Sequence, residues 1–237
     1  MRTAALSILL LCTALPLDAQ TPDPQTTRVY LGGSFIVAEP QQDFRDHVNT
    51  SFGGSLNVLW LPATNSPLAL RFEGGGIGYG SETKRVPLSP TIGGRVMVDL
   101  TTNNLIAFAH AGPQLSMTRG AVRPYIAPTA GIAYIATVSS VSGDDSSENF
   151  ASDTNYDDTQ FSYGATAGTY VKVSTGRTPI ALDLSVRYHR NGQASYLKKG
   201  GIRDNPDGTI SFDPVRSSID MLTFQIGASF GITSRPR

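Results

Sequence analysis

The ionisable side chains of this 237-residue chain alternate with apolar ones along short segments. Asp183, Arg187 and His189 share one parity in the run Ile180 to Arg190. Arg71 and Glu73 share one around Leu68 to Phe72. His110 and Gln114 share one from Ala109 to Met117, and Lys172 falls on the polar parity of Phe161 to Val173. A period of two places such residues on one face of a strand. Two chemistries are open to this set. One is an acid–base site in which His110 or His189 works with Asp183. The other is mutual neutralisation, with Glu73 and Asp183 set against Arg71, Lys172 and Arg187 and the histidines as hydrogen-bonding fillers. An isolated buried ion is expensive, so pairing is the favoured reading and no catalytic residue is assigned. His189 with Ser195 is a thin candidate for a lipid-modifying centre. The third histidine, His47, lies in a polar segment and reads as solvated.

A second cluster is acidic: Asp144, Asp145, Glu148, Asp153, Asp157 and Asp158, within a stretch from Pro124 to Val171 that has no Lys or Arg between its ends. Hard cations collect several oxygen ligands, which makes this segment a weak metal candidate. Its spacing matches no ordered calcium loop. It reads as a solvated, mobile loop, with no metal or cofactor expected.

The elements that position these residues are strands. Leu222, Phe224, Ile226, Ala228, Phe230 and Ile232 alternate with Thr223, Gln225, Gly227, Ser229 and Gly231; Ile180, Leu182, Leu184, Val186 and Tyr188 alternate with Ala181, Asp183, Ser185, Arg187 and His189. Runs of this length cross a bilayer at a barrel tilt. Weaker alternation starts at Val29 and recurs around Leu56, Leu68, Ala109, Ile126 and Phe161. Pro113 and Pro128 lack ladder donors, so bulges or lost hydrogen bonds are expected there. Tight connections (63–66, 118–120, 174–177) alternate with long polar ones (38–50, 81–104, 142–158, 197–218). Three turns and four loops join eight strands, as in an up-and-down outer-membrane barrel with periplasmic termini. Thr91 to Leu100 is placed in the second loop as a hairpin rising above the membrane through a turn at Thr101-Thr102-Asn103-Asn104, in preference to a ninth strand. Asn205-Pro206-Asp207-Gly208-Thr209 marks a turn in the fourth loop.

The fold class is therefore all-β: an eight-stranded antiparallel transmembrane barrel whose lumen is filled by polar side chains. Tyr30, Trp60, Tyr125, Phe161, Tyr163, Tyr188 and Phe230 lie near strand ends and are assigned to interfacial girdles. Residues 1–19 read as a secretory signal peptide, because their apolar core is shorter than the roughly 20 residues of a spanning helix. Residues 20–27 form a periplasmic tail, 28–232 the barrel and 233–237 a C-terminal tail. The only cysteine, Cys12, lies in the leader, which excludes a disulfide framework for the mature chain. A formal net charge of zero without a basic stripe argues against nucleic acid.

The chain resembles the small outer-membrane barrels of the OmpA/OmpX type. Arg123-Pro124-Tyr125-Ile126 with the run to Tyr134, the strand from Ile180 to Tyr188, and the closing Phe224 to Phe230 carry the likeness. It extends over the mature chain, although Phe230 is followed by seven residues where many members stop at a terminal aromatic. The resemblance implies an outer-membrane location, lipid as surroundings and insertion by the barrel-assembly machinery. No peptidoglycan-binding domain is expected after the barrel. The expected role is a non-enzymatic surface protein whose loops serve envelope integrity or bind an unidentified external ligand. A narrow solute channel, a lipid-modifying enzyme and, last, a soluble lipocalin-like barrel remain alternatives.

Overall fold

The computed structural model describes residues 26–87, 97–143, 149–175, 178–204 and 210–234. In chain order these form β1 (Thr26–Pro40), a 3-10 helix η1 (Gln42–Asp46), β2 (Ser51–Trp60), β3 (Leu68–Pro87), β4 (Met97–Ser116) and β5 (Val122–Gly143). β6 (Asn149–Ser174), β7 (Ile180–Asn191), β8 (Gln193–Asp204), β9 (Ile210–Ser218) and β10 (Met221–Ser234) follow. Eight strands close a ring in the order β1-β10-β7-β6-β5-β4-β3-β2, all antiparallel, while β8 and β9 pair apart from it. Closure is made by β1 on β10, where Phe35 lies opposite Ile226 and Leu31 opposite Phe230.

The wall inverts the polarity of a soluble barrel. In β7, Leu184, Val186 and Tyr188 are exposed, whereas Asp183, Ser185, Arg187 and His189 are buried. In β10, Phe224, Ile226, Phe230 and Ile232 face outward, with Thr223, Gln225 and Ser229 inside. Leu56 in β2, Phe72 in β3, Leu115 in β4 and Ile132 in β5 continue the outer band. A continuous apolar exterior over a polar interior belongs in hydrocarbon, where closure leaves no unpaired backbone edge. The chain is a transmembrane barrel.

Thr26, Ser234 and the short connections lie at one end, here the turn end; η1 and the β8–β9 hairpin lie at the other, the loop end. Tight geometry at the turn end is met by Asn65 at φ 59° and Gly120 at φ 94°, the left-handed region that Gly and Asn tolerate best. Pro113 faces Pro128 where the β4–β5 ladder has no pairs between Ala111 and Leu115, yet the register continues unchanged. The prolines therefore remove hydrogen bonds without a bulge.

The loop end departs most from the sequence reading. The presumed loops 81–104 and 142–158 are largely strand: β3 pairs with β4 out to Pro87↔Met97, and β5 pairs with β6 out to Ser142↔Asn149. Thr101-Thr102-Asn103-Asn104 is not a turn but part of β4, opposite Thr83, Glu82, Ser81 and Gly80. Residues 97–100 extend the same strand, and 91–96 lie outside the described residues. The physical reason is cooperative: a ladder already paired within the membrane adds residues at its end without a new nucleation step, even where the sequence is polar. The fourth loop is a hairpin, and the turn expected at Asn205–Thr209 lies outside the described residues. So do residues 1–25; β1 already includes Thr26 and Thr27, and β10 includes Thr233 and Ser234.

Candidate functional site

Inside the wall the first layer above the turn end is ionic. Arg71, from β3, is fully buried. Its Nε donates to Glu73 Oε2 at 3.0 Å, and its Nη1 donates to Gln114 Oε1 and Tyr170 Oη, each at 3.2 Å. The same nitrogen lies 3.9 Å from Asp183 Oδ2. Glu73 also accepts from Arg187 Nη2, and Arg187 Nε donates to Thr166 Oγ1 at 3.2 Å. Tyr125 Oη donates to Asp183 Oδ1 at 2.8 Å. Two guanidinium groups and two carboxylates, drawn from β3 and β7 and joined by phenols and an amide, make a neutral cross-brace. Charge-assisted bonds of this kind are the strong ones, and a buried set holds only when each member is met.

Above it, His110 Nε2 and Ser162 Oγ are 2.8 Å apart, His189 Nε2 and Thr129 Oγ1 3.0 Å, and the two imidazoles meet edge to face with centroids 4.0 Å apart. Ser162 and His110 have the spacing of a nucleophile and its base. Asp183, however, is engaged by Tyr125 and Arg71, so neither histidine has it as a partner. Ser162 is fully buried, with the ionic layer below it and apolar side chains above. These histidines act as hydrogen-bonding fillers.

The loop end of the lumen is apolar. Ile36, Ile77, Ile106, Ala133 and Ile135 point inward from the wall and meet Phe44 of η1 with Ala194, Tyr196 and Ile219 from the hairpin region. Phe44 packs edge to face on Tyr79 at 5.9 Å and on Tyr196 at 5.3 Å. Tyr196 Oη bonds Ser217 Oγ at 2.9 Å, and burial raises this phenol above its ordinary pKa, so it stays neutral. Asp220 fastens the assembly. Its carboxylate accepts the Asn191 N–H at 2.9 Å and Gln42 Nε2 at 3.0 Å. The first and fourth loops thus stopper the barrel.

Beyond the stopper, β3, β4, β5 and β6 continue as a four-stranded sheet. A cleft of about 140 Å³ between this sheet and the hairpin is lined by Thr102, Asn104, Ser139, Asn155, Lys198 and Phe212, among others. Its small polar groups are mutually bonded: Thr102 Oγ1 to Ser139 Oγ at 2.9 Å, Asn155 Nδ2 to Ser139 Oγ at 2.6 Å, and Thr137 Oγ1 to Asn104 Oδ1 at 2.7 Å.

Of the eight lumen residues expected from sequence, Arg71, Glu73, Gln114, Asp183 and Arg187 come together in the ionic layer, with His110 and His189 above them. Lys172 does not join. It points inward near the turn end, beside Arg123, too far along β6 to reach the carboxylates. Trp60, Phe161, Tyr163, Tyr188 and Phe230 project from the outer wall. Tyr30 and Tyr125 are corrections. Both take the inward parity of their strands: Tyr30 packs on Leu59, Leu61 and Ala69, and Tyr125 belongs to the ionic layer. Their phenol oxygens suit a wet interface and a polar lumen equally; only parity separates the two. Ser195 does not meet His189, since its N–H is held by Asp158 Oδ2 at 2.9 Å. His47 is exposed at the end of η1. Asp144, Asp145 and Glu148 lie outside the described residues. Asp153, Asp157 and Asp158 stand in β6, and no cluster suited to a metal occurs among the described residues. Residues that the sequence reading missed are Tyr125 and Tyr170 in the ionic layer and Phe44, Tyr196 and Ile219 in the stopper. The available signal was apolar side chains stranded in segments otherwise polar.

No protein-family model matches the chain, and no curated protein matches it by sequence. Solved structures similar to it are small outer-membrane barrels. Neisserial surface protein A is 11% identical with a TM-score of 0.47 over 86% of this chain and 97% of its own. The attachment invasion locus protein Ail of Yersinia pestis is 11% identical with a TM-score of 0.45 over 87% and 99%. A major outer membrane protein of Thermus thermophilus is 13% identical with a TM-score of 0.43 over 86% and 99%. Likenesses at this level add no weight to the chain's own geometry.

Proposed function

We propose that this is a non-conducting outer-membrane surface protein, oriented with its termini in the periplasm, that presents the projecting β3–β6 sheet to an external partner. One observation carries the reading: among the described residues, all elaboration of the barrel stands at the loop end. β2 releases β3 after Gly78, so residues 79–87 extend some 30 Å at about 3.3 Å per residue with one free edge. β7 likewise releases β6 beyond Ser162 toward the loop end, leaving the edge of residues 149–160 without a strand neighbour in the barrel. Glu82 and Lys84 guard the first edge, and Asp153 and Asp157 the second. Charges of this kind discourage indiscriminate edge-to-edge pairing while leaving room for a partner of complementary charge. The stopper and the ionic layer oppose the channel reading. Burial of Ser162 opposes the enzymatic one.

The test is cell fractionation with a heat-modifiability gel, followed by planar-bilayer recording and protease shaving of intact cells. The expected result is a folded, heat-modifiable band in the outer-membrane fraction, no stepwise conductance, and cleavage confined to the loop end. A soluble periplasmic product, or steady single-channel steps from the intact chain, would refute it.

A further inference from the structure

The net charge of zero hides an uneven distribution. At the turn end of the barrel, Arg28, Arg119, Arg123 and Lys172 are present and no acid occurs among the described residues; the segments 59–70, 113–127 and 168–182 contain neither Asp nor Glu. Two of these cations point inward. Arg123 in β5 lies opposite Tyr170 in β6, so Lys172, two residues further along, is its diagonal neighbour on the same inner face. Such neighbours are about 7–8 Å apart. Together with Tyr30, Asn65, Thr118 and Tyr170 they line a cavity of about 80 Å³. Arg123 Nε is buried and has no hydrogen-bond partner among the described residues. The nearby carboxylates, Glu73 and Asp183, are already bound to Arg71 and Arg187. The floor of the cavity is Tyr170, whose oxygen accepts from Arg71 Nη1 at 3.2 Å and from Gln114 Nε2 at 3.4 Å, which leaves its own proton to donate.

We propose that this mouth is a phosphate-binding site, in which Arg123, Lys172 and the Tyr170 hydroxyl receive a single phosphate group. Two like charges facing one small cavity repel until an anion lies between them. A tetrahedral oxyanion between the two head groups accepts charge-assisted hydrogen bonds from both. The guanidinium supplies a planar fork and the ammonium a point charge, a usual division of labour on phosphate. The cavity, about 80 Å³, has room for one such group. A free phosphate and the headgroup of a phospholipid share this chemistry.

The experiment uses the full mature chain refolded in a neutral detergent, with inorganic phosphate titrated against chloride at matched ionic strength and amide shifts read over residues 121–125 and 170–173. Saturable shifts specific to phosphate are expected, weakened at least tenfold in Arg123→Gln and in Lys172→Gln. Lys172→Gln keeps the test available should Arg123→Gln fail to give a heat-modifiable barrel. In a second arm the chain is placed in nanodiscs of phosphatidylglycerol or of phosphatidylcholine without added phosphate. The same shifts in either disc identify a lipid headgroup as the source; their absence from both discs identifies the free anion. An equal response to chloride, or a response unchanged in folded variants, would overturn the proposal.

Discussion

Removing the charge of Glu73 tests the ionic layer most directly. Glu73→Gln keeps the shape of the side chain but leaves Arg71 and Arg187 with a single carboxylate, Asp183, which lies 3.9 Å from Arg71. Arg187 then retains only Thr166 Oγ1, at 3.2 Å, from its present bonds. Breaking a buried ion pair from one side costs about 3–5 kcal/mol, because the remaining charge stays desolvated and unmet. At a urea dependence of about 2 kcal/mol/M, a loss of about 4 kcal/mol moves the unfolding midpoint by about 2 M. The assay is urea titration of the refolded barrel followed by the folded and unfolded bands on a gel. Adding Arg187→Gln restores neutrality, with Arg71 opposite Asp183, so the double variant should recover most of the lost midpoint. A shift below about 0.3 M for Glu73→Gln, roughly 0.6 kcal/mol, would refute the reasoning. So would a double variant whose loss is the sum of the two single ones.

Phe44→Ala removes the centre of the stopper and should lower the stability of the loop end by about 3–5 kcal/mol. Limited proteolysis should then cut the β8–β9 hairpin faster while heat-modifiability of the wall persists; loss of the folded band would show that the stopper and the wall are one unit. Asp220→Ala strips the acceptor from the Asn191 N–H and from Gln42, a loss of about 1–3 kcal/mol. Amide exchange at Asn191 should accelerate about tenfold or more, and an unchanged rate would show that the carboxylate does not fasten the first loop to β7.

The wall was legible wherever lipid and lumen impose the greatest contrast. In β7, Leu182 and Leu184 against Asp183 and Arg187 leave one arrangement open, and β10 repeats it over its length. Legibility failed where a residue type tolerates both environments. Tyr30 and Tyr125 were placed by their aromatic character, although the parity of Leu31 and Ile126 sends them inward. Lys172 was given the correct face but the wrong depth, because alternation fixes a side and not a height. The acidic and threonine-rich stretches above the membrane read as loops because their side chains give no hydrophobic signal. Their order comes from the backbone ladder, which the side-chain pattern does not encode. The stopper was hidden for the opposite reason: Phe44, Tyr196 and Ile219 are scattered singly over two distant loops, and only the closed ring brings them together.

β3 passes from one solvent's rules to another's within its own length. Below the glycines at 74–76 it turns Phe72 toward hydrocarbon and Arg71 inward; above them Ile77 is shut inside and charged residues meet water. At the crossing, Gly75 leaves the room that the Phe108 ring occupies between the polar and the apolar layers. The lower barrel therefore acquires its reason to fold from a bilayer, while the upper end gathers around an oily centre as a protein in water does. The glycine girdle of β3 marks where a grafted outer end would have to be joined.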